Sequence, residues 1–237
     1  MNGAHALIKT LVGSGVDVCF ANPGTSEMHF VAALDDVPGL RVILGLFEGV
    51  ATGAADGFAR ISGRPAATLL HLGPGMANGM ANLHNARRAR VPLVNIVGDH
   101  ATYHSQYDAP LNSDIETVAR TFSGWTRRPT RPVDIGPAAA DAVAAAMTPP
   151  GSISTLILPA DVSWGADALP AEPEAPPPRQ AVADDVIGSA AKWLLSGERC
   201  LLLLGGSAAR AGALRDAARI AAATGAGLLL ETSVARL

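Results

Sequence analysis

The densest concentration of chemically informative residues is the run Phe47-Glu48-Gly49-Val50-Ala51-Thr52-Gly53-Ala54-Ala55-Asp56-Gly57-Phe58-Ala59-Arg60. Gly49, Gly53 and Gly57 recur every four residues, and so do Ala51, Ala55 and Ala59. In a helix this spacing reduces most of the surface to hydrogens and methyls. Each glycine costs a helix about 1 kcal/mol relative to alanine, so three require an offsetting close approach by another helix or by a ligand. Tight packing inside one domain explains the glycines equally well, but it does not explain Glu48. That residue follows the apolar run 42–47, at the carboxyl end of a strand and the start of a helix. In open parallel sheets this edge is where ligands bind, although a first-turn carboxylate is also favoured by the helix dipole alone. Phe47, Gly49, Val50 and Ala51 are expected to strip water from the carboxyl group. A carboxyl group able to hold a proton near neutrality is an acid–base catalyst.

Gly73-Pro74-Gly75 is the second feature, lying between a strand and a helix. The triplet reads first as a turn; as a binding element it lets backbone approach a ligand and exposes helix N-terminal amides. Asn22-Pro23-Gly24-Thr25 holds the equivalent position after the first strand. Three strand ends, 22–26, Glu48 and 71–78, therefore converge on one sheet edge. His71 is the most apolar-flanked histidine of the chain, and convergence with Glu48 is what separates it from an ordinary core histidine.

The elements that must position these residues follow from periodicity. Ala4, Leu7, Ile8, Leu11 and Val12 mark one face of a helix ended by Gly13 and Gly15. A strand over 16–20 follows, and Ser26 is expected to cap a helix running to about Asp36. Strands are expected at 41–44, 66–71 and 93–97, with helices at 48–61 and 76–88. Residues 100–135 read as irregular, before an Ala-rich helix at 138–147 and a strand at 153–158. This alternation predicts an α/β fold over residues 1–165, a parallel sheet with helices on both faces. Residues 166–182, with Pro170, Pro173, Pro176, Pro177 and Pro178, read as an extended, semi-rigid linker. Over 183–237 the alternation restarts with helices at 184–195 and 211–223 and strands at 200–204 and 227–230. Two strands are too few for a self-sufficient sheet, so this second, Rossmann-like unit is expected to be incomplete.

Together, the order Phe20-Ala21-Asn22-Pro23-Gly24, then Phe47-Glu48-Gly49-Val50-Ala51 with Ala55-Asp56-Gly57-Phe58-Ala59-Arg60, then Gly73-Pro74-Gly75 with Asn78, resembles the thiamine diphosphate enzymes. The similarity is to the pyrimidine-binding domain of the group containing acetolactate synthase and benzoylformate decarboxylase, and it covers roughly residues 1–165, with 183–237 as the start of a middle domain. The resemblance implies that Glu48 hydrogen-bonds the aminopyrimidine ring of the cofactor and drives its imino tautomer, for decarboxylation of a 2-oxo acid with or without carboligation. It places Pro23, Gly24, Gly73, Pro74, Gly75 and Asn78 around the cofactor and Thr25, His71 and Gln106 on the substrate side, although Ser105 and Tyr107 depart from the pattern around that glutamine. The family holds the diphosphate through Mg2+ at a Gly-Asp-Gly turn in a further domain. Here Gly98-Asp99-His100 and Ala55-Asp56-Gly57 both lack that context. The resemblance therefore implies a fragment or a split subunit, inactive alone, in a homo-oligomer of at least two copies or with a complementary subunit. FAD, bound by some members, is left open.

A formal charge of −3 without basic runs excludes a nucleic-acid binder. No apolar stretch approaches the ~20 residues of a membrane span, and Met1-Asn2-Gly3-Ala4-His5 has no secretory-signal pattern. Cys19 and Cys200 cannot form a disulfide framework or a metal cluster, so no metal ligands are expected and a cytoplasmic protein is. The alternative is a nucleotide-binding or catalytically inactive regulatory α/β subunit with 201–206 as a phosphate turn, but Gly205-Gly206-Ser207 lacks the full spaced fingerprint.

Overall fold

Apolar runs too short for helices pair side by side into a sheet. The computed structural model describes residues 1–233. In chain order the elements are α1 (Gly3–Gly13), β1 (Val18–Asn22), α2 (Met28–Ala33), β2 (Arg41–Leu44), α3 (Glu48–Ser62) and β3 (Ala66–Leu70). Then come α4 (Leu72–Arg88), β4 (Leu93–Asp99), α5 (Ile115–Arg120), β5 (Trp125–Arg127), α6 (Ile135–Met147), β6 (Ile153–Pro159) and α7 (Ala160–Trp164). Beyond an extended stretch lie α8 (Asp184–Leu194), β7 (Leu201–Leu204), α9 (Ala211–Thr224) and β8 (Gly227–Leu230).

Strands β1 to β6 form one sheet in the order β2-β1-β3-β4-β6-β5, and every pairing is parallel. The central strands β3, β4 and β6 are buried along their whole length, which is why their sequences are continuous apolar runs instead of alternating ones. One face packs Leu7, Ile8 and Leu11 of α1, Phe30 of α2 and Ile135 of α6 against Leu69, Ile96 and Leu156. The other packs Ala51, Ala55 and Ala59 of α3 and Leu83 and Ala86 of α4 against Phe20, Leu70 and Leu93. Each fully buried leucine or isoleucine contributes roughly 1.5–3 kcal/mol. The polar residues inside the sheet satisfy one another in register. Thr68 donates to Asn95 Oδ1 at 2.7 Å, and Asn95 Nδ2 donates to Thr155 Oγ1 at 3.1 Å.

Several local expectations are corrected. β1 lies two residues later than the strand expected at 16–20. The stretch 100–135 is not wholly irregular, because α5 and the edge strand β5 lie in it; three residues, Trp125–Arg127, are too short to show a period. Ser26 does not cap a helix. It lies inside a 3-10 turn, Thr25–Glu27, that runs into α2. Helix α4 begins at Leu72, four residues before the expected start, so Gly73-Pro74-Gly75 forms its first turn and not a loop ahead of it.

Residues 165–183 carry no helix or strand. Their first part is fastened to the sheet unit: Met1 and Ala168 exchange two backbone hydrogen bonds, and the Ala171 N–H donates to Thr10 Oγ1 at 3.0 Å. Strands β7 and β8 pair in parallel as a separate two-stranded sheet. Leu201, Leu203, Leu228, Leu229 and Leu230 are exposed there, as a sheet covered by so few helices dictates. No described helix is long and apolar enough to cross a membrane.

Candidate active site

From β1 the chain crosses to β2 on one side and then to β3 on the other, so the order in which strands are added reverses between β1 and β3. Ligand crevices open at this position, beyond the carboxyl ends of the strands. Asn22 and Leu70 end the two strands as register partners. Pro23-Gly24 follows one and His71 the other, and a Cβ on Gly24 would stand 2.3 Å from the His71 ring. Asn22 Nδ2 donates to the Gly45 carbonyl at 2.7 Å, which ties the crevice to the loop carrying Glu48.

Glu48 opens α3 and is 7% exposed. Phe47 and Val50, expected to shield it, are 48% and 58% exposed; the shielding comes instead from α4. Asn78 Nδ2 donates to Glu48 Oε2 at 2.9 Å. A Cβ on Gly75 would lie 2.8 Å from Glu48 Oε1 and 3.4 Å from the His71 Cβ. Oε1 takes no hydrogen bond among the described residues, so one carboxylate oxygen is held by the protein and the other is not. The small residues of the glycine run let α3 and α4 touch through backbone: Asn82 donates to the Gly49 carbonyl at 2.6 Å and Thr52 to the Gly79 carbonyl at 3.2 Å. A Cβ on Gly53 would press on Asn82, whereas Gly57 faces open space. Packing inside the chain thus accounts for part of the stripe, and Ala51, Ala55 and Ala59 face the core.

The other expected residues separate into two groups. Gly24, Gly75, Asn78 and His71 adjoin one another or Glu48, with Pro23 beside them in the chain. Gly73 and Pro74 face the opposite way, lining a cavity of about 240 Å³ with Met76, Ile115 and Val118. Thr25 is exposed at the start of its 3-10 turn. Gln106 is exposed and donates to the Tyr103 carbonyl of its own loop at 2.9 Å, with no contact to Glu48 or His71 among the described residues. Leu72, at φ 50°, makes the sharp passage from β3 into α4, a left-handed conformation that costs a bulky residue roughly 1–3 kcal/mol.

Glu27 is the residue the sequence reading missed. It is wholly buried. Its Oε2 accepts the Gly24 N–H at 2.7 Å and lies 2.8 Å from His71 Nδ1, while Oε1 has no partner. The signal was present, because a Glu three residues after Gly24 and just before an apolar helix has the spacing of a capping box. Burial pushes the carboxyl group above its ordinary value, and the hydrogen bonds from Gly24 and His71 pull partly back. A raised carboxyl pKa favours the folded state at acid pH, and that contribution is lost as pH rises from 4.5 through the shifted value. Urea titrations across that window are expected to show the wild type losing stability relative to Glu27→Gln. His100, after β4, is held below its ordinary value by burial and by the charges of His104 and His71.

The pocket around Glu27 depends on Gly98, where a Cβ would fall 1.6 Å from Oε1. Gly98→Ala is expected to destabilise the fold by about 1–3 kcal/mol, the usual cost of overpacking. A urea midpoint equal to that of the wild type would show that the carboxyl group can swing aside.

The turn of the alternative reading, Gly205-Gly206-Ser207, opens on a cleft of about 440 Å³ shared with Arg87, Arg88, Arg90 and Glu231. The Glu231 carboxylate stands against Gly205, 2.3 Å from where a Cβ would be.

Comparisons with known proteins show the family. The sequence profile described as thiamine pyrophosphate enzyme, N-terminal TPP binding domain, matches residues 1–119. A Mycobacterium tuberculosis protein carrying the acetolactate synthase large subunit name IlvX is 64% identical over 98% of this chain and 44% of its own length. The benzoylformate decarboxylase of Pseudomonas aeruginosa is 37% identical over 65% of this chain and 29% of its own. Among solved structures, the thiamine diphosphate-dependent 4-hydroxybenzoylformate decarboxylase of Rhodococcus jostii RHA1 superposes with a TM-score of 0.85 at 26% identity, covering 99% of this chain and 45% of that one. The chain spans less than half the length of these relatives. With half of its residues matched by the profile, the chain belongs to the thiamine pyrophosphate enzymes, its residues 1–119 being their N-terminal TPP binding domain.

Proposed function

We infer that this chain supplies the pyrimidine-side half of a thiamine diphosphate enzyme acting on 2-oxo acids, with Glu48 as the residue that activates the cofactor. The observation that carries the reading is the Glu48 carboxyl group, nearly buried, held at Oε2 by Asn78 and without a partner at Oε1. The residues present fit the aminopyrimidine. Gly75, having no side chain, makes room for Glu48 Oε1, and that oxygen, which takes no hydrogen bond among the described residues, would hold a ring nitrogen of the aminopyrimidine. When bound, thiamine diphosphate supplies the electron-accepting ring that lets carbon dioxide leave a 2-oxo acid. Glu48 holds and returns a proton at Oε1, while Asn78 fixes the plane of the carboxylate. His71 presents its outer ring edge to the substrate side, and Thr25 adds a hydroxyl at the rim. The names of the relatives, acetolactate synthase and benzoylformate decarboxylase, support a 2-oxo acid without choosing between ligation and plain decarboxylation.

Leu44, Leu46, Phe47 and Val50 form an exposed apolar surface next to Glu48. In this reading a diphosphate-binding part covers that surface and carries the Mg2+, supplied by a second copy in a homo-oligomer or by a complementary subunit. The 237-residue chain, given thiamine diphosphate and Mg2+, is then expected to release no carbon dioxide from a panel of 2-oxo acids. The same panel with the complementary part added is expected to give turnover. Full activity of the chain alone, or none from the complete assembly on any 2-oxo acid, would overturn the reading.

A further inference from the structure

The crevice holds a second buried carboxyl group, and the chemistry assigned to Glu48 makes no use of it. Glu27 is fully buried between the ends of β1, β3 and β4, with Gly24, His71 and Gly98 around it. Two backbone positions lack side chains at this spot: a Cβ on Gly98 would meet Glu27 Oε1, and one on Gly24 would meet the His71 ring. Other charged or titratable groups of the crevice are Glu48, beyond Gly75, and His100, whose charge couples to His71.

We propose that Glu27 is the positioning residue of His71, holding its imidazole in the Nδ1–H tautomer so that Nε2 is left as a bare lone pair. The contacts at Oε2 are the observations behind this assignment. A proton on Oε1 would have no acceptor, since that atom has no partner. Oε2 already accepts the Gly24 N–H at 2.7 Å, and its remaining capacity points at Nδ1, 2.8 Å away. An ionised carboxylate accepts from both neighbours at Oε2 and leaves Oε1 bare, and in the proposed state the proton between Glu27 and His71 resides on nitrogen. A carboxylate on one imidazole nitrogen sets which tautomer the other presents. Nε2 takes no hydrogen bond among the described residues, and the His71 side chain is 23% exposed. It can accept a proton and give it back while Nδ1 keeps its own, with the buried carboxylate balancing the transient positive charge. This role rests on the 2-oxo acid reading only for the identity of the proton's partner; the tautomer is a property of the chain.

Nitrogen-15 spectra of the His71 ring in the 237-residue chain, without cofactor and at a pH where the imidazole is neutral, test the assignment. The wild type is expected to carry its proton on Nδ1. Glu27→Gln, which retains an acceptor oxygen, is expected to keep that tautomer, and Glu27→Ala to lose the preference while His5 and His84 stay unchanged. A proton on Nε2 in the wild type or in Glu27→Gln overturns the proposal, as does a folded Glu27→Ala chain with the wild-type tautomer. If Glu27→Ala does not fold, the other two spectra still decide it. Since no cofactor is present, an enzyme that fails to use 2-oxo acids would sink the functional reading and leave this result standing.

Discussion

Glu48→Gln in the complete enzyme is expected to lower kcat by about 10²–10⁴-fold, the range that general acid–base groups supply. Gln keeps the shape of the side chain and an oxygen for Asn78 Nδ2, now 2.9 Å from the carboxylate. It removes only the ability to hold and return a proton at the other atom. Binding of thiamine diphosphate is therefore expected to change far less than turnover, and deuterium exchange at the reactive carbon of the bound cofactor is expected to slow in step with kcat. Thermal unfolding is expected to stay close to that of the wild type, because a buried carboxyl group is being replaced by a neutral amide of equal size. Wild-type turnover in this variant would remove the central support of the proposed function. A fall in turnover together with a collapse of the fold would instead mean that Glu48 is a structural residue.

Phe30→Ala is expected to have the largest effect on stability, a loss of about 3–5 kcal/mol, as is usual for deleting a buried phenyl ring. Phe30 is fully buried and belongs to the same cluster as Leu7, Leu11 and Ala33. Against a typical total of about 5–15 kcal/mol, that is a large share. The site is affected as well, because α2 follows directly on the 3-10 turn that carries Glu27. The measurement is a urea midpoint at unchanged slope, with Met28→Ala as control. Met28 lies in the same helix but is 44% exposed, so its loss should stay within about 0.5 kcal/mol. Equal midpoints for the two variants would show that the core can close around the missing ring.

Much of this protein was legible in one dimension. The helix–strand alternation is local, since period and turn residues lie next to each other in the chain, and so the parallel α/β class could be read directly. The ends of α3 and β8 emerged within a residue or so because glycine or a strand run marks them. Glu48 stood out because a carboxyl group in an apolar, glycine-rich context is chemically anomalous wherever the chain places it.

What required three dimensions were the relations between segments distant in sequence. Phe47 and Val50 are neighbours of Glu48 in the chain, yet its burial comes from Gly75 and Asn78 on another helix. Gly73 and Pro74 line one cavity while Gly75 packs against Glu48, because two residues along a helix turn the chain by about 200°. No local pattern links Glu27 to His71, and only the parallel pairing of β1 with β3 brings the two together across 44 positions. Sequence alone determined most of the elements, the sheet class and the one conspicuous acid, since those depend on short-range pattern. The tertiary structure decided which groups share a proton and which are kept from water, since desolvation and hydrogen bonding depend on atoms that the chain supplies from far away.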